Sequence, residues 1–462
     1  MSQENPISKQ PLIRHVNRQQ MSWRAVDVEH LISADHPARA MWTLVGRLNL
    51  SAFYQAIESS TEEGGRPAID PQLLISLWVY AYSQGIGSAR EVARRCAYDP
   101  AFQWLTGWEE VNYHTLADFR VEKQQELDEL FTQVLAALSQ EGLITLEQVM
   151  QDGTKIKAQA SSRSYCQEET IREHLERARR RVAEMGDPRN EESSPKAKQA
   201  QVRARRQQQE RLESALEELQ KWQARKSGEK AKKQTRVSTS DPQARAMHQP
   251  DGGLALSYNA QISTDAAQGL IVGVAVTQEP NDSGQLLPAV DRLEQRLEKK
   301  PQQMVADSGY TTRENIEKMA GREIDFLGTM RYENVPRGAN LPNRFPPSAF
   351  PYLPEKNHAC PRKPACCPDN QKRGRSVAHP EESPVVIAFR KKMASEEARK
   401  QYRRRGRIVE FCHAWIKSKL GLRQFHVRGL KKVQMEMLWA CLTYNLQHWI
   451  RLSKLRTTTA IT

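Results

Sequence analysis

The chain has 462 residues, 39% hydrophobic and 27% charged, with 69 Lys and Arg against 55 Asp and Glu and a formal charge of +14. That length exceeds what a single hydrophobic core usually supports, so two or three domains are expected, and the basic balance points to a polyanionic partner. The most apolar run, residues 73–80, is too short to span a bilayer; the N-terminus lacks the apolar core of a secretory signal, and seven cysteines are too few and scattered for a disulfide framework, so a cytoplasmic protein without membrane contact is expected.

Residues 25–135 read as short helices. Asp70 and Pro71 suit the cap and first position of a helix carrying Leu73, Leu74, Leu77, Trp78 and Ala81. Ser88, with Glu91 three positions on, makes a capping-box pattern for a second helix, whose Arg90, Arg94 and Arg95 would face DNA phosphate in a helix-turn-helix-like arrangement. A plain helical bundle with solvated arginines fits the pattern equally well.

The period then changes. Residues 143–150 read as an apolar strand ending at Asp152-Gly153. From 161 to 250 the chain is polar, with 13 Lys or Arg against 5 Asp or Glu between Lys196 and Arg236, and Leu212, Leu216 and Leu219 forming a thin stripe. One or two long solvated helices between flexible segments are expected, including a flexible stretch over 238–253. Residues 254–264 and 269–277 read as a hairpin, followed by a helix carrying Leu286, Leu287, Val290 and Leu293. A short strand ends at Asp307, a helix is capped around Thr311 or Thr312, and residues 324–327 make another strand. Residues 331–382 are rich in Pro, Asn and Cys, residues 384–389 suggest a strand, and a strongly basic helix and a long apolar one close the chain. The resulting divisions are 1–135 (helical, DNA-binding), 136–160 (first core strand), 161–250 (charged insertion), 251–330 (core), 331–383 (insertion) and 384–462 (end of the core).

Asp152 and Asp307 each follow an apolar strand, and Glu410 lies on a helix able to pack against the same sheet. Carboxylates favour hard cations such as Mg²⁺ or Mn²⁺, and two such ions can serve both the attacking and the leaving oxygen of a phosphodiester. Each carboxylate alone is more simply a turn former or a salt-bridged surface residue. Arg403 and Glu410, and Glu410 and Lys417, are each seven residues apart, which puts all three on one helical face, with Tyr402, Arg404, Arg405 and Arg407 beside them.

Four motifs in order resemble the DDE transposases of bacterial insertion sequences: GRPAIDPQLLISLWVYAY with SAREVARRC and YHTLADFR, then QDGTKIKA, then MVADSGY, then YRRRGRIVEFCHAWIKSKLGLRQFHVRG with the tail KVQMEMLWACLTYNL. The resemblance covers almost all of the chain. It implies an RNase H-like mixed sheet flanked by helices, preceded by an all-helical domain and interrupted by a charged helical insertion. It also implies a pair of Mg²⁺ or Mn²⁺ ions on Asp152, Asp307 and Glu410. Tyr402 would contact the DNA end, Lys417 would hold phosphate, and Arg403, Arg405 and Arg407 would line the same surface.

The implied reaction is hydrolysis at the inverted repeats, followed by attack of the freed 3′-hydroxyl on target DNA, within a homodimer on nucleoid DNA in the bacterial cytoplasm. The third motif departs from the commonest pattern in having Gly406 four residues before the glutamate and Phe411, Cys412 and His413 after it. A nuclease of the same fold and a transposase-derived DNA-binding protein without catalysis remain alternatives. His358, Cys360, Cys366 and Cys367 cluster, but their spacing suits a tetrahedral zinc site poorly.

Overall fold

The computed structural model describes residues 25–57, 67–183, 195–330 and 383–459; the cluster of His358, Cys360, Cys366 and Cys367 lies outside them. Seven helices come first: α1 (Pro37–Val45), α2 (Ser51–Gln55), α3 (Pro71–Ser83), α4 (Ala89–Cys96), α5 (Pro100–Thr106), α6 (Tyr113–Glu122) and α7 (Gln124–Gln140). Their starts are set locally. Asp70, Ser88, Asp99 and Asn112 each accept a backbone N–H of the following turn, and Pro71 and Pro100 occupy first positions where no N–H is required.

Strand β1 (Gln148–Lys157) follows. It begins later than residues 143–150 suggest and carries Asp152 in its middle, not at its end. The cause is a turn at Leu146, whose φ of 57° breaks the extended run; the Asp265 carboxylate accepts the N–H groups of Thr145 and Leu146 at 3.1 and 2.7 Å and fixes that turn.

Next come β2 (Tyr165–Gln167), α8 (Glu168–Ala183), α9 (Pro195–Ala224), α10 (Glu229–Lys233), β3 (Arg236–Ser238) and β4 (Arg245–His248). Helices α8 and α9 pair through Ile171, Leu175, Ala178, Leu212, Ala215 and Leu219, a small core of their own. The stretch 238–253, expected to be flexible, instead supplies the end of β3 and all of β4. Buried Asp241 anchors it by accepting from the Tyr258 hydroxyl at 2.7 Å and from the Gly429 N–H at 3.2 Å.

The chain continues through β5 (Leu254–Asp265), β6 (Ile271–Thr277), α11 (Leu286–Leu297), β7 (Gln303–Ala306), α12 (Arg313–Gly321) and β8 (Asp325–Leu327). It ends with α13 (Pro384–Ala394), α14 (Glu396–Ala414), a π turn (Trp415–Lys419) and α15 (Leu430–Thr459). Residues 384–389, read as a strand, open helix α13 instead. Ser383 and Pro384 form a helix start, and Val386 and Phe389 bury one side while Val385 and Ile387 stay exposed.

The main sheet has β1 at its centre. β5 pairs with it antiparallel on one side, and β7 then β8 pair parallel on the other. β4 and β6 share the outer edge of β5, at residues 254–257 and 259–264. Helix α14 covers one face through Met150, Val305, Leu327, Ala398 and Val409, while α11 and α15 pack on β6. The molecule is thus an all-helical N-terminal region followed by a mixed, partly parallel sheet flanked by helices, consistent with an RNase H-like architecture. No helix among the described residues is long and apolar enough to cross a membrane.

Candidate active site

β7 pairs with β1 only as far as Ala306, which lies opposite Gln151. β1 runs on to Lys157, where a bridge to Gln424 begins. Between these points one edge of β1 has no strand of the described residues beside it, and the chain leaving β7 at Asp307 turns away there. The result is a notch with Asp152 on its floor and Asp307 at its rim.

Asp152 feels the charge of Asp307. Burial is the largest influence on Asp152 and raises its pKa to about 6; Arg405 opposes the rise, and Asp307 and Asp282 add to it. Asp152 accepts the Gly153 N–H at 2.9 Å, and the Arg405 guanidinium lies 3.3 Å from its other oxygen. Asp307 accepts the Gly309 N–H at 2.7 Å, and its carbonyl accepts the Thr311 hydroxyl at 2.8 Å, so the turn after β7 fixes this carboxylate.

Behind the notch lies a buried polar network. Ser263 donates to Gln151 at 2.6 Å, Gln151 donates to Gln261 at 2.9 Å, and the Tyr310 hydroxyl donates to Gln261 at 2.5 Å. Gln261 and Asn259 both donate to Asp282, at 2.7 and 2.6 Å, and Lys155 lies 3.5 Å from the same oxygen. The network needs Gly153. A Cβ there would come within 2.6 Å of Asp282 Oδ1 and Gln261 Nε2 and within 2.9 Å of Asn259 Oδ1.

Helix α14 and its π turn supply cations. Lys417 is half-buried, and its pKa is lowered first by burial, then by Arg423 and Lys155. His413 sits with Nδ1 3.9 Å from Asp152 and with Nε2 buried and unpartnered. Its burial, together with Lys417 and Arg405, pushes its pKa down to about 3, so the ring is neutral at ordinary pH.

Other expected site residues are placed differently. Glu410 is exposed and makes no hydrogen bond or ion pair among the described residues; its Oε1 lies 3.6 Å from where a Cβ on Gly406 would stand. No group of three His, Cys, Asp or Glu side chains arranged to hold a metal occurs among the described residues. Asp152 and Asp307 supply all-oxygen donors of the kind hard cations prefer, but Glu410 does not join them in this geometry. Tyr402 bonds Thr329 Oγ1 at 3.1 Å and, with Arg403, lines a groove also formed by Phe389 and Met393. Arg407 is exposed on the same helix.

Arg90, Arg94 and Arg95 form a separate patch on α4. Arg90 lies over the Tyr113 ring and Arg94 over Tyr98; Arg94 and Arg95 pair with Glu91, and Arg95 also pairs with Asp99.

Sequence reasoning does not single out Lys155, Asp282, Asn259 or Tyr310, and it assigns no role to His413. One signal was present. In SYNAQIS, buried polar residues Ser257, Asn259, Gln261 and Ser263 alternate with apolar ones, and a strand with a polar inner face implies a buried network.

Comparison with protein families gives two matches: residues 347–450 match the family described as "Transposase DDE domain", and residues 26–122 match "Transposase domain (DUF772)". The first includes Glu410 and α14; Asp152 and Asp307 lie outside both. No curated protein and no solved structure matches the chain. The two family matches, at opposite ends of the sequence, are both to transposase domains and support a transposase-type function on DNA.

Proposed function

We propose that the protein is a metal-dependent DNA transposase of the insertion-sequence kind. In this reading it cuts phosphodiesters at the element's inverted repeats and joins the resulting 3′-hydroxyls to target DNA as a homodimer. The observation that carries it is the juxtaposition of Asp152 and Asp307 in a notch at the sheet centre, ringed by Arg405, Lys417 and Lys155. Mg²⁺ or Mn²⁺ held by Asp152 and Asp307, with Glu410 joining them only once α14 brings it inward, would supply Lewis acidity toward the phosphate and an activated oxygen nucleophile.

The chain's own groups prepare the rest. The cations around the notch attract and orient the backbone phosphates, and Arg405 steadies Asp152. Neutral His413 and the apolar contacts of α14 keep that side of Asp152 away from bulk water. The exposed arginines of α14 and the α4 patch offer further phosphate contacts.

A second reading, a transposase-derived DNA-binding protein without catalysis, draws on the outward placement of Glu410. An assay of cleavage and strand transfer separates the possibilities. The protein is incubated with Mg²⁺ or Mn²⁺ and labelled duplexes carrying the inverted repeats that flank its gene, beside D152A, D307A and E410A. Nicked and joined products in the wild type, absent from all three variants, are expected. Cleavage without joining would point to a nuclease, and specific binding with no chemistry to the non-catalytic reading.

A further inference from the structure

Lys155 lies three residues past Asp152 on β1, and Asp282 stands in the loop before α11. Their ion pair, 3.5 Å from Nζ to Oδ1, sits inside the buried amide frame. Oδ1 of Asp282 already accepts from Asn259 and from Gln261. The carboxylate is therefore hydrogen-bonded and fixed without Lys155, and acts on the ammonium mainly through charge.

An ammonium carries three donors, and among the described residues that of Lys155 has one ion-pair partner, Asp282. Its side chain is only 17% exposed, so the charge has lost much of its hydration. Lys417 is half-buried and has no carboxylate within ion-pair distance among the described residues, and it stands near enough to Lys155 for the two charges to repel. Two desolvated like charges beside an open stretch of β1 are relieved when an anion enters between them.

We propose that Lys155, aimed by Asp282, binds a non-bridging oxygen of a DNA backbone phosphate in the notch, near Lys417. The proposal rests on the transposase reading above. Asp282 touches no substrate and acts through Lys155 as a positioning residue.

The test uses the full-length protein, a fluorescent element-end duplex and the variants K155M, D282N and K155M/D282N. Binding is measured across a range of salt concentrations, and single-turnover cleavage at saturating DNA in Mg²⁺. K155M is expected to reduce the slope of log affinity against log salt by about one phosphate contact and to slow cleavage by about 10- to 100-fold, the scale of a lost charge-assisted contact. D282N keeps the lysine charge, so its slope stays near wild type while cleavage falls as in K155M. The double variant should be no slower than K155M, because both changes remove one device.

Unchanged slope and rate in K155M would overturn the proposal, as would losses that multiply in the double variant. K155Q, similar in length and able to donate, replaces K155M if thermal melting shows that K155M does not fold. D152N keeps the two questions apart: it is expected to bind the duplex at least as tightly as wild type and not cleave it. If the wild type binds but never cleaves, the transposase chemistry fails, while the salt slope of K155M still decides whether Lys155 holds phosphate.

Discussion

Asp152 sits on β1 between the Arg405 guanidinium and the carboxylates of Asp307 and Asp282, with most of its side chain shielded from water. Burial raises its folded pKa to about 6 from an ordinary 3.8. A raised carboxyl pKa means that the folded state binds the proton more tightly than the unfolded chain does. Its contribution to stability is therefore complete below about pH 4 and is lost as pH rises through 6. D152N, which carries no charge, is expected to be more stable than wild type above pH 6 by about 2–3 kcal/mol, and no more stable below pH 4. Urea unfolding in EDTA at pH 4 and pH 8 measures this, and an equal difference at both would contradict it. The neighbouring Gly153 has a steric role. Its missing Cβ leaves room for Asp282 and Gln261, which hydrogen bonds hold in place. G153A should cost about 1–3 kcal/mol, as overpacking does. G284A, where an added Cβ meets nothing within 4 Å, is the control and should change little.

Helix α14 shows how one position shapes an element. Gly406 lies in its interior, where glycine costs roughly 1 kcal/mol relative to alanine. An alanine Cβ there would meet Glu410 Oε1 at 3.6 Å, an ordinary contact. G406A is thus expected to raise stability by about 0.5–1 kcal/mol, read as a higher melting temperature; a fall would show that Gly406 serves a conformation other than the helix. The starts of α3 and α4 are readable because a cap and the N–H it satisfies lie within four residues of each other. The strand carrying Asp152 was foreseen, but its start was misplaced, because the turn at Leu146 is fixed by Asp265, far along the sequence. Helix α13 was misread because a short β-branched run such as PVVIAF fits either period. β4 was missed because its order comes from Asp241, Tyr258 and Gly429, a contact no local pattern reveals. The aspartate pair was legible as two acidic residues beside apolar strands. Asp282 was not, since only the fold brings it against Gly153.

One core runs through the molecule, from Ala38 and Trp78 in the N-terminal helices, through the sheet, to Trp439 and Trp449 in α15. At the junction, Glu436 on α15 is fully buried and accepts the backbone N–H groups of His426 and Val427 at 2.9 and 3.3 Å and a contact from His426 Nδ1 at 2.8 Å. Arg120 of α6 lies 3.8 Å from the same carboxylate, donates to the Gly87 carbonyl, and stacks over Trp78 at 4.6 Å. Removing the carboxylate leaves a buried guanidinium without its counter-charge and two backbone donors without an acceptor, so E436A should lose about 3–5 kcal/mol. Because the helices and the sheet share this core, the loss should lower one common transition and not split it. Calorimetry, with hydrogen exchange followed separately in α3 and β1, distinguishes the outcomes. If the N-terminal helices form a unit that unfolds independently, E436A will instead separate two transitions and α3 will exchange at a lower denaturant concentration than β1. A single lowered transition would mean that the arginines of α4 and the notch are held at a fixed distance, so that DNA reaching one is already positioned with respect to the other.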